Sequence, residues 1–328
     1  MDHETLIQSV ASAKSSGQRP IMTMANGDNT WLISIPRPDR TTGKAFYHIL
    51  QDPWLGGDAV AFYAWIFRMR HPHKEALGSA EAVEKWIEEV EHAAGGSKGD
   101  GDDETWLDAI LITHTNGDHM HEETLRGFRP DAKVFAVAEA AATMNAWKHF
   151  DDIVVVPDFK KEKDETWPAT PGMPDWLHVF RLPDDGGVMP YLYNGTVIGF
   201  KRADGKEEMI MYSPHGIDAE VVAAARDAKP GVDVLAMVHP LHRSGFPENG
   251  GITLGVVNGL KVERRTGAKY WLGTHDDKIE YAGLISFVIK SRRLTLDYGL
   301  EEEAKETGKE LPRPNLIELA NGGSCVLA

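Results

Sequence analysis

An apolar segment runs directly into a cluster of histidine and aspartate residues between positions 109 and 121. Ala109 to Thr113 has the length and composition of a buried strand, and the next six residues, His114 to His119, have the sequence HTNGDH. A buried strand that ends in this way delivers imidazole and carboxylate groups to one edge of a sheet, where open α/β folds bind their ligands. Gly117 allows the turn to fold back so that its neighbours converge. The segment therefore predicts an α/β fold with a polar site at the end of this strand.

Strands and helices alternate along the rest of the chain. Trp31 to Ile35 and Phe46 to Leu50 predict a β-hairpin, Glu81 to Ala94 has helical spacing, and the polar stretch from Gly95 to Asp103 predicts a surface loop. Further strands are predicted at Val134 to Val137, Ile153 to Pro157, Leu177 to Leu182, Tyr191 to Phe200, Glu208 to Tyr212, Val232 to Val238 and Tyr270 to Gly273. Further helices are predicted near Glu122 and at Glu139 to Trp147, Asp218 to Ala228, Ile252 to Arg265 and Tyr281 to about Arg292. Such alternation is typical of layered α/β proteins.

The chain shows no convincing linker between domains. We predict a single domain over residues 1–300 and a charged C-terminal extension, 301–328, that packs on the domain or trails from it. The charged run from Glu301 to Lys309 is typical of a solvated helix or tail.

Composition excludes several classes of function. The 50 acidic and 35 basic residues give a formal charge of −15, which disfavours nucleic acids and anionic membranes as partners. The single cysteine, Cys325, allows neither an intrachain disulfide nor a cysteine-rich zinc site. The first twenty residues lack the pattern of a secretory signal, and no apolar run reaches the roughly 18 residues of a membrane span. We therefore expect a cytoplasmic protein that acts on a small molecule; the sequence does not indicate its oligomeric state.

The HTNGDH segment resembles the H-x-H-x-D-H signature of the metallo-β-lactamase superfamily, including the threonine before it, here Thr113. The resemblance implies an αββα sandwich of two mixed sheets with outer helices, and it implies that His114, Asp118 and His119 bind metal. Asn116 stands where the family has its middle histidine, and an amide is a weaker metal ligand than imidazole.

Two further positions extend the resemblance and two depart from it; the resemblance covers roughly residues 26–290 and is closest to the lactonase-like branch. Asp52 matches an early aspartate that supports the metal loop, and His275 matches the last metal-binding histidine. Asp185 falls where the third histidine is expected, and His215 falls where a bridging carboxylate is expected. Asn116, Asp185 and His215 are therefore candidate replacement ligands, and His242 and Asp52 are candidate pocket residues.

The resemblance implies a metal-dependent hydrolase that acts on a small lactone, ester, thioester or amide, and its lactonase-like character ranks lactones and esters first. The predicted ligands are His114, Asp118, His119 and His275, and they favour one zinc ion over two, although iron and manganese also suit imidazole and carboxylate donors. Asp118 is predicted to orient or deprotonate the attacking water, and His215 is the second catalytic candidate.

The altered positions also support a different hypothesis, a pseudo-hydrolase without a dinuclear centre and without a metal cofactor. Such a protein would bind a small molecule, or would act as a lyase or isomerase with histidine and aspartate as acid and base. In a third reading, the segment is only a polar turn in which Asp118 caps a helix.

Overall fold

A computed structural model describes residues 1–14, 17–39, 43–61, 63–98, 105–160, 166–184, 192–246, 250–284 and 286–328. Within these ranges the helices are α1 (His3–Ser12), α2 (Ala80–Ala94), α3 (Glu122–Leu125), α4 (Ala138–Ala146), α5 (Ala219–Asp227), α6 (Gly255–Thr266) and α7 (Leu296–Thr307). The strands are β1 (Ile21–Met24), β2 (Trp31–Pro36), β3 (Phe46–Gln51), β4 (Ala59–Ala61), β5 (Phe67–Arg70), β6 (Ala109–Ile112), β7 (Val134–Ala136), β8 (Ile153–Val155), β9 (Leu177–Leu182), β10 (Gly195–Lys201), β11 (Glu207–Tyr212), β12 (Asp233–Val238), β13 (Arg243–Phe246), β14 (Gly250–Gly251), β15 (Tyr270–Leu272), β16 (Glu280–Ala282), β17 (Lys290–Arg292), β18 (Leu316–Ile317) and β19 (Ser324–Val326).

Two large mixed sheets form the centre of the protein. The first has the order β19-β1-β2-β3-β6-β7-β8, and the second has the order β18-β15-β12-β11-β10-β9. In the first sheet β3, β6, β7 and β8 are parallel, and in the second β11, β12, β15 and β18 are parallel. Both sheets therefore present the carboxyl ends of several parallel strands at one edge, where loops can build a site.

The side chains of β6 show how the layers are built. Ala109 and Leu111 pack into the apolar core between the two sheets, whereas Ile110 and Ile112 pack into a second core under α1, α2 and α4. A strand buried on both faces reads as the continuous apolar run seen in the sequence. A third core, which includes Val256 of α6, lies on the outer face of the second sheet. The layers are thus helix, sheet, sheet and helix, and the predicted αββα sandwich is confirmed.

Local sequence signals account for most of the predicted elements. The β2–β3 hairpin is antiparallel, with Trp31 opposite Gln51. The helix predicted over Glu81 to Ala94 is α2, which begins after Ser79, whose hydroxyl accepts from the Ala82 amide, and ends at Gly95 with φ 73°. Most of the predicted loop from Gly95 to Asp103 lies outside the described residues, as does Tyr191.

The helix predicted from Tyr281 to Arg292 is wrong. This segment contains β16, a short 3₁₀ turn at Ser286–Val288, and β17. β16 pairs with β5, and β17 pairs with β13, so pairing with distant strands overrides the local spacing of apolar residues. β16, β5 and β4 form a three-stranded sheet, which we call the small sheet.

The C-terminal region contributes to both large sheets. β18 extends the second sheet beside β15, and β19 extends the first sheet beside β1. The charged run predicted as a solvated helix or tail forms the exposed side of α7, while Leu296 of this helix is buried. Within the described residues no helix is long and apolar enough to cross a bilayer.

Candidate metal centre

The candidate site lies where strands of both large sheets end. Because β3 and β6 are parallel neighbours, with Gln51 beside Leu111, the residues after them, Asp52 and Thr113, lie side by side. In the second sheet, β11 and β15 run parallel to β12 and deliver His215 and His275 to the same edge. The loops therefore converge from strands that are far apart in the chain.

Asp52 orients the segment after β6. Its Oδ1 accepts from the Thr113 amide at 2.8 Å, and its Oδ2 accepts from the Thr113 hydroxyl at 2.6 Å. The same Oδ2 lies 2.8 Å from Nδ1 of His119, so the ring presents Nε2 on its other side. Asp52 has φ 47°, a strained left-handed conformation for a residue other than glycine. The predicted supporting role of Asp52 therefore has a clear geometric basis.

His275 has an equivalent carboxylate partner, Asp28. Oδ2 of Asp28 lies 2.8 Å from Nδ1 of His275, Oδ1 accepts from the Asp277 amide at 3.1 Å, and the Asp28 carbonyl accepts from the His275 amide at 2.7 Å. His275 also has a positive φ, 57°, which these bonds hold in place. Nothing in the sequence distinguishes Asp28, because the polar stretch Asn26 to Asn29 in which it lies is typical of a turn.

Four imidazole rings form one cluster at this edge. The ring centroids lie 4.8 Å apart for His114 and His119, 5.0 Å for His114 and His215, 5.1 Å for His215 and either His119 or His275, and 5.4 Å for His119 and His275. Oδ2 of Asp118 lies 3.4 Å from Nε2 of His275 and 3.6 Å from Nε2 of His119. The fold thus gathers these five side chains around one point.

Several polar atoms in this cluster are buried without a partner. Oδ1 of Asp118, Nε2 of His119 and both ring nitrogens of His215 make no hydrogen bond to any residue that the structure describes. Unpaired buried polar atoms are costly, so their convergence calls for a shared partner. Donor atoms that bind one ion at about 2.0–2.1 Å in a tetrahedral site lie about 3.4 Å apart, close to the Asp118 distances. His119, His215, His275 and Asp118 therefore fit a metal ion.

The charge of the cluster also favours a cation. Burial and the neighbouring rings hold the pKa of His114 and of His215 well below the ordinary histidine value, so both are neutral and able to act as donors. Burial alone would also lower the pKa of His275, but the carboxylates of Asp28 and Asp118 outweigh it and raise this pKa to about 9. The negative charge of Asp28 and Asp118 that favours a proton on His275 also favours a metal cation at this position.

The remaining predicted residues fall into different places. His114 lies in the cluster, but its Nε2 faces the Leu192 carbonyl at 3.1 Å and its Nδ1 lies 2.7 Å from the Thr113 hydroxyl. Donor atoms of Asp52, His114 and His119 also lie close together, yet the hydrogen bonds of this group already occupy Asp52. The Asn116 side chain is exposed, while its carbonyl accepts from the His119 amide. His215, rather than Asn116, thus completes the set of unpaired donors.

Two other candidates do not join the described cluster. Nδ1 of His242 lies 2.8 Å from Oδ1 of Asp276, away from the four rings. Asp185 lies outside the described residues. The third reading of the sequence, in which Asp118 caps a helix, is not what the structure has, because His121 is the N-cap of α3.

The small sheet adjoins the cluster. A methyl group on Gly117 would lie 2.7 Å from the Val60 carbonyl oxygen of β4, so this position requires glycine for close approach, not for the backbone freedom that we predicted. Burial, together with the charges of Asp28 and Asp118, raises the pKa of Tyr281 in β16. The small sheet therefore borders the site from two sides.

Comparison with models of known protein families finds no match, and no curated protein matches the sequence. Solved structures do match. The chain is similar to an isothiocyanate hydrolase from Delia radicum gut bacteria, with TM-score 0.57, 17% identity, and coverage of 94% of this chain and 99% of that chain. It is also similar to a possible metal-dependent hydrolase from Veillonella parvula, with TM-score 0.56, 12% identity, and coverage of 94% and 100%.

A third similar structure is CmlA, a diiron β-hydroxylase from Streptomyces venezuelae. Its TM-score is 0.52 at 13% identity, and the match covers 94% of this chain and 54% of that chain. At these identities the likeness concerns the fold. Together with the layered sheets, it shows that the chain shares the αββα fold of these solved structures.

Proposed function

We propose that this protein is a metal-dependent hydrolase whose ion is held by His119, His215, His275 and Asp118. One observation carries the proposal: Oδ1 of Asp118, Nε2 of His119 and the ring nitrogens of His215 are buried with no partner among the described residues, and one donor atom of each of His119, His215 and His275 lies within 4.8 Å of the others. The two similar structures that are named as hydrolases give further support.

The chemistry follows from the positions of the side chains. A bound zinc, iron or manganese ion supplies Lewis acidity, which polarises a carbonyl group and brings the pKa of water towards about 7. Asp52 and Asp28 hold the rings of His119 and His275 so that each presents Nε2 to the centre of the cluster. Oδ1 of Asp118 has no partner among the described residues and can accept a proton from a water molecule bound there.

The substrate that we propose is a small carbonyl compound, with lactones and esters first. The net charge of −15 argues against a polyanionic substrate. Zinc is the metal that we rank first, since three imidazoles and one carboxylate are ordinary zinc donors.

The first test is elemental analysis of protein purified without chelators. We expect about one equivalent of zinc, iron or manganese in the wild type, and loss of most of it in His119→Ala, His215→Ala and His275→Ala. Asn116→Ala is the matched control, because its side chain is exposed and should leave the metal content unchanged.

Activity is then screened on lactones and esters with the metal-loaded protein. Wild-type protein that takes up no metal, even after reconstitution with each of the three ions, would contradict the hydrolase proposal. That result would favour the metal-free alternative, a small-molecule binder or an acid–base lyase or isomerase.

A further inference from the structure

Large apolar side chains are exposed together at the outer end of the small sheet. Tyr63, Trp65, Leu284 and Phe287 are 66%, 64%, 60% and 73% exposed, respectively. The Leu284 amide donates to the Trp65 carbonyl at 3.1 Å, and the rings of Tyr63 and Trp65 lie within 17° of parallel with centroids 6.3 Å apart. We call these four residues the aromatic rim. Single exposed apolar residues are common, but a group of this kind marks a binding surface.

The aromatic rim is continuous with the candidate metal centre. β4 touches the turn of Asp118 through the close approach of Gly117 to Val60. Three residues separate Val60 from Tyr63, which at about 3.3 Å per residue is at most about 10 Å. On the other side, β16 follows the His275 loop directly and leads to Leu284. β4 and β16 therefore link the surroundings of the cluster to the rim, and the part of that path from Val60 to Tyr63 is at most about 10 Å.

We propose that the substrate of this enzyme carries an apolar arm, a straight alkyl chain of about eight carbons or an aromatic group, that packs on the aromatic rim while its carbonyl lies at the cluster. This inference rests on the proposed function and specifies its substrate class. Nonpolar contact with an arm removes exposed aromatic surface from water, and Trp and Tyr provide large contact areas at low entropic cost.

The size of the aromatic rim favours a substrate arm over a second copy of the chain. A stable protein interface involves roughly 20–30 residues on each side, whereas the rim offers four large apolar side chains.

The test compares straight-chain p-nitrophenyl esters from acetate to octanoate with the metal-loaded enzyme. Partial burial of the chain predicts that kcat/KM rises about twofold per methylene, or about 60-fold from acetate to octanoate. In the double variant Trp65→Ala and Phe287→Ala, we expect this octanoate-to-acetate ratio to fall to about 5 or less. Val155→Ala, which shortens an exposed apolar side chain on β8, should keep the wild-type ratio. An unchanged ratio in the double variant would overturn the proposal.

Binding of primary alcohols from butanol to decanol, measured by calorimetry, separates this inference from the hydrolase proposal because it requires no hydrolysis. Affinity that rises with chain length in the wild type, and not in the double variant, would support the aromatic rim as a subsite even if no ester is cleaved. Affinity independent of chain length in the wild type would overturn it. A third result would also overturn the proposal: light scattering shows a dimer for the wild type and a monomer for the double variant, while the octanoate-to-acetate ratio is unchanged. A second copy of the chain would then cover the rim.

Discussion

The substitution Asp28→Asn tests how the protein holds His275 ready for a metal ion. In the wild type, Nδ1 of His275 donates a hydrogen bond to Oδ2 of Asp28, so a metal ion that displaces the proton on Nε2 meets a lone pair there, 3.4 Å from Asp118. Oδ1 of the same carboxylate accepts from the Asp277 amide. An asparagine can keep one of these bonds only. If its oxygen stays on the Asp277 amide, its NH₂ group faces Nδ1 and drives the ring proton to Nε2, the atom that should bind the metal.

We expect zinc affinity to fall about 10- to 100-fold in Asp28→Asn, the usual effect of losing the carboxylate behind a metal-binding histidine. This corresponds to about 1.4–2.7 kcal/mol. The assay is competition for zinc with a chromophoric chelator, and the melting temperature of the metal-free protein shows whether the variant is folded. Glu89→Gln is the control, because that carboxylate contacts a histidine, His3, between α1 and α2 and outside the cluster; we expect a change below about threefold. A folded Asp28→Asn protein with wild-type zinc affinity would refute this reasoning.

Three further predictions concern the stability of the fold, one at a glycine beside the site and two at a buried carboxylate of α2. Gly117→Ala should destabilise the protein by about 1–3 kcal/mol in urea unfolding, because its methyl group would lie 2.7 Å from a backbone oxygen of β4. A variant with wild-type stability would contradict this prediction, because β4 would then move aside with no loss of stability. Glu91→Ala should cost about 3–5 kcal/mol at pH 7, because it leaves a buried histidine and two backbone amides without their acceptor.

The stability that Glu91 contributes to the wild type should depend on pH. Burial alone would raise the pKa of Glu91, but the hydrogen bonds and charge of its partners lower it below the ordinary glutamate value. A carboxyl group with a lowered folded-state pKa stabilises the fold above its unfolded-state pKa, and this contribution is lost as the pH falls. The difference between the wild type and Glu91→Ala in unfolding free energy should therefore narrow below about pH 4.5; a constant difference would contradict this assignment.

The spacing of apolar residues along the sequence predicted the helices and strands that are long enough to show one buried face or a continuous buried run. The continuous apolar run at Ile110 to Ile112 predicted a strand buried on both sides, and the structure places it between two cores. β4 and β16 were missed, since strands of three residues have too few positions to show a period. The pairing of β16 with β5 is set by contacts between segments about 210 residues apart, which no local window contains, whereas β4 pairs with β5 across a short connection.

The site was predictable where its residues follow an apolar strand directly. His119 and Asp118 follow β6 and His275 follows β15, so strand ends identified them. Asp28 gave no such signal, because it lies in a turn before β2 and meets His275 from 247 positions away. In the sequence, a carboxylate that orients a metal-binding histidine cannot be distinguished from one in an ordinary polar turn, because the packing of the two sheets brings it to its partner.

The substitution of an imidazole for a carboxylate at position 215 determines how many ions the site suits. A carboxylate has two oxygens and can bridge two ions, whereas a neutral imidazole offers one lone pair to one ion. Burial keeps His215 neutral, so the set of His119, His215, His275 and Asp118 carries a single negative charge. The carboxylates of Asp52 and Asp28 are already bonded to the rings of His119 and His275, so Asp118 is the one carboxylate of this set that could bridge two ions. With the Asn116 side chain exposed, we expect the site to saturate at one ion per chain in a zinc titration, and a second tightly bound equivalent would contradict this expectation.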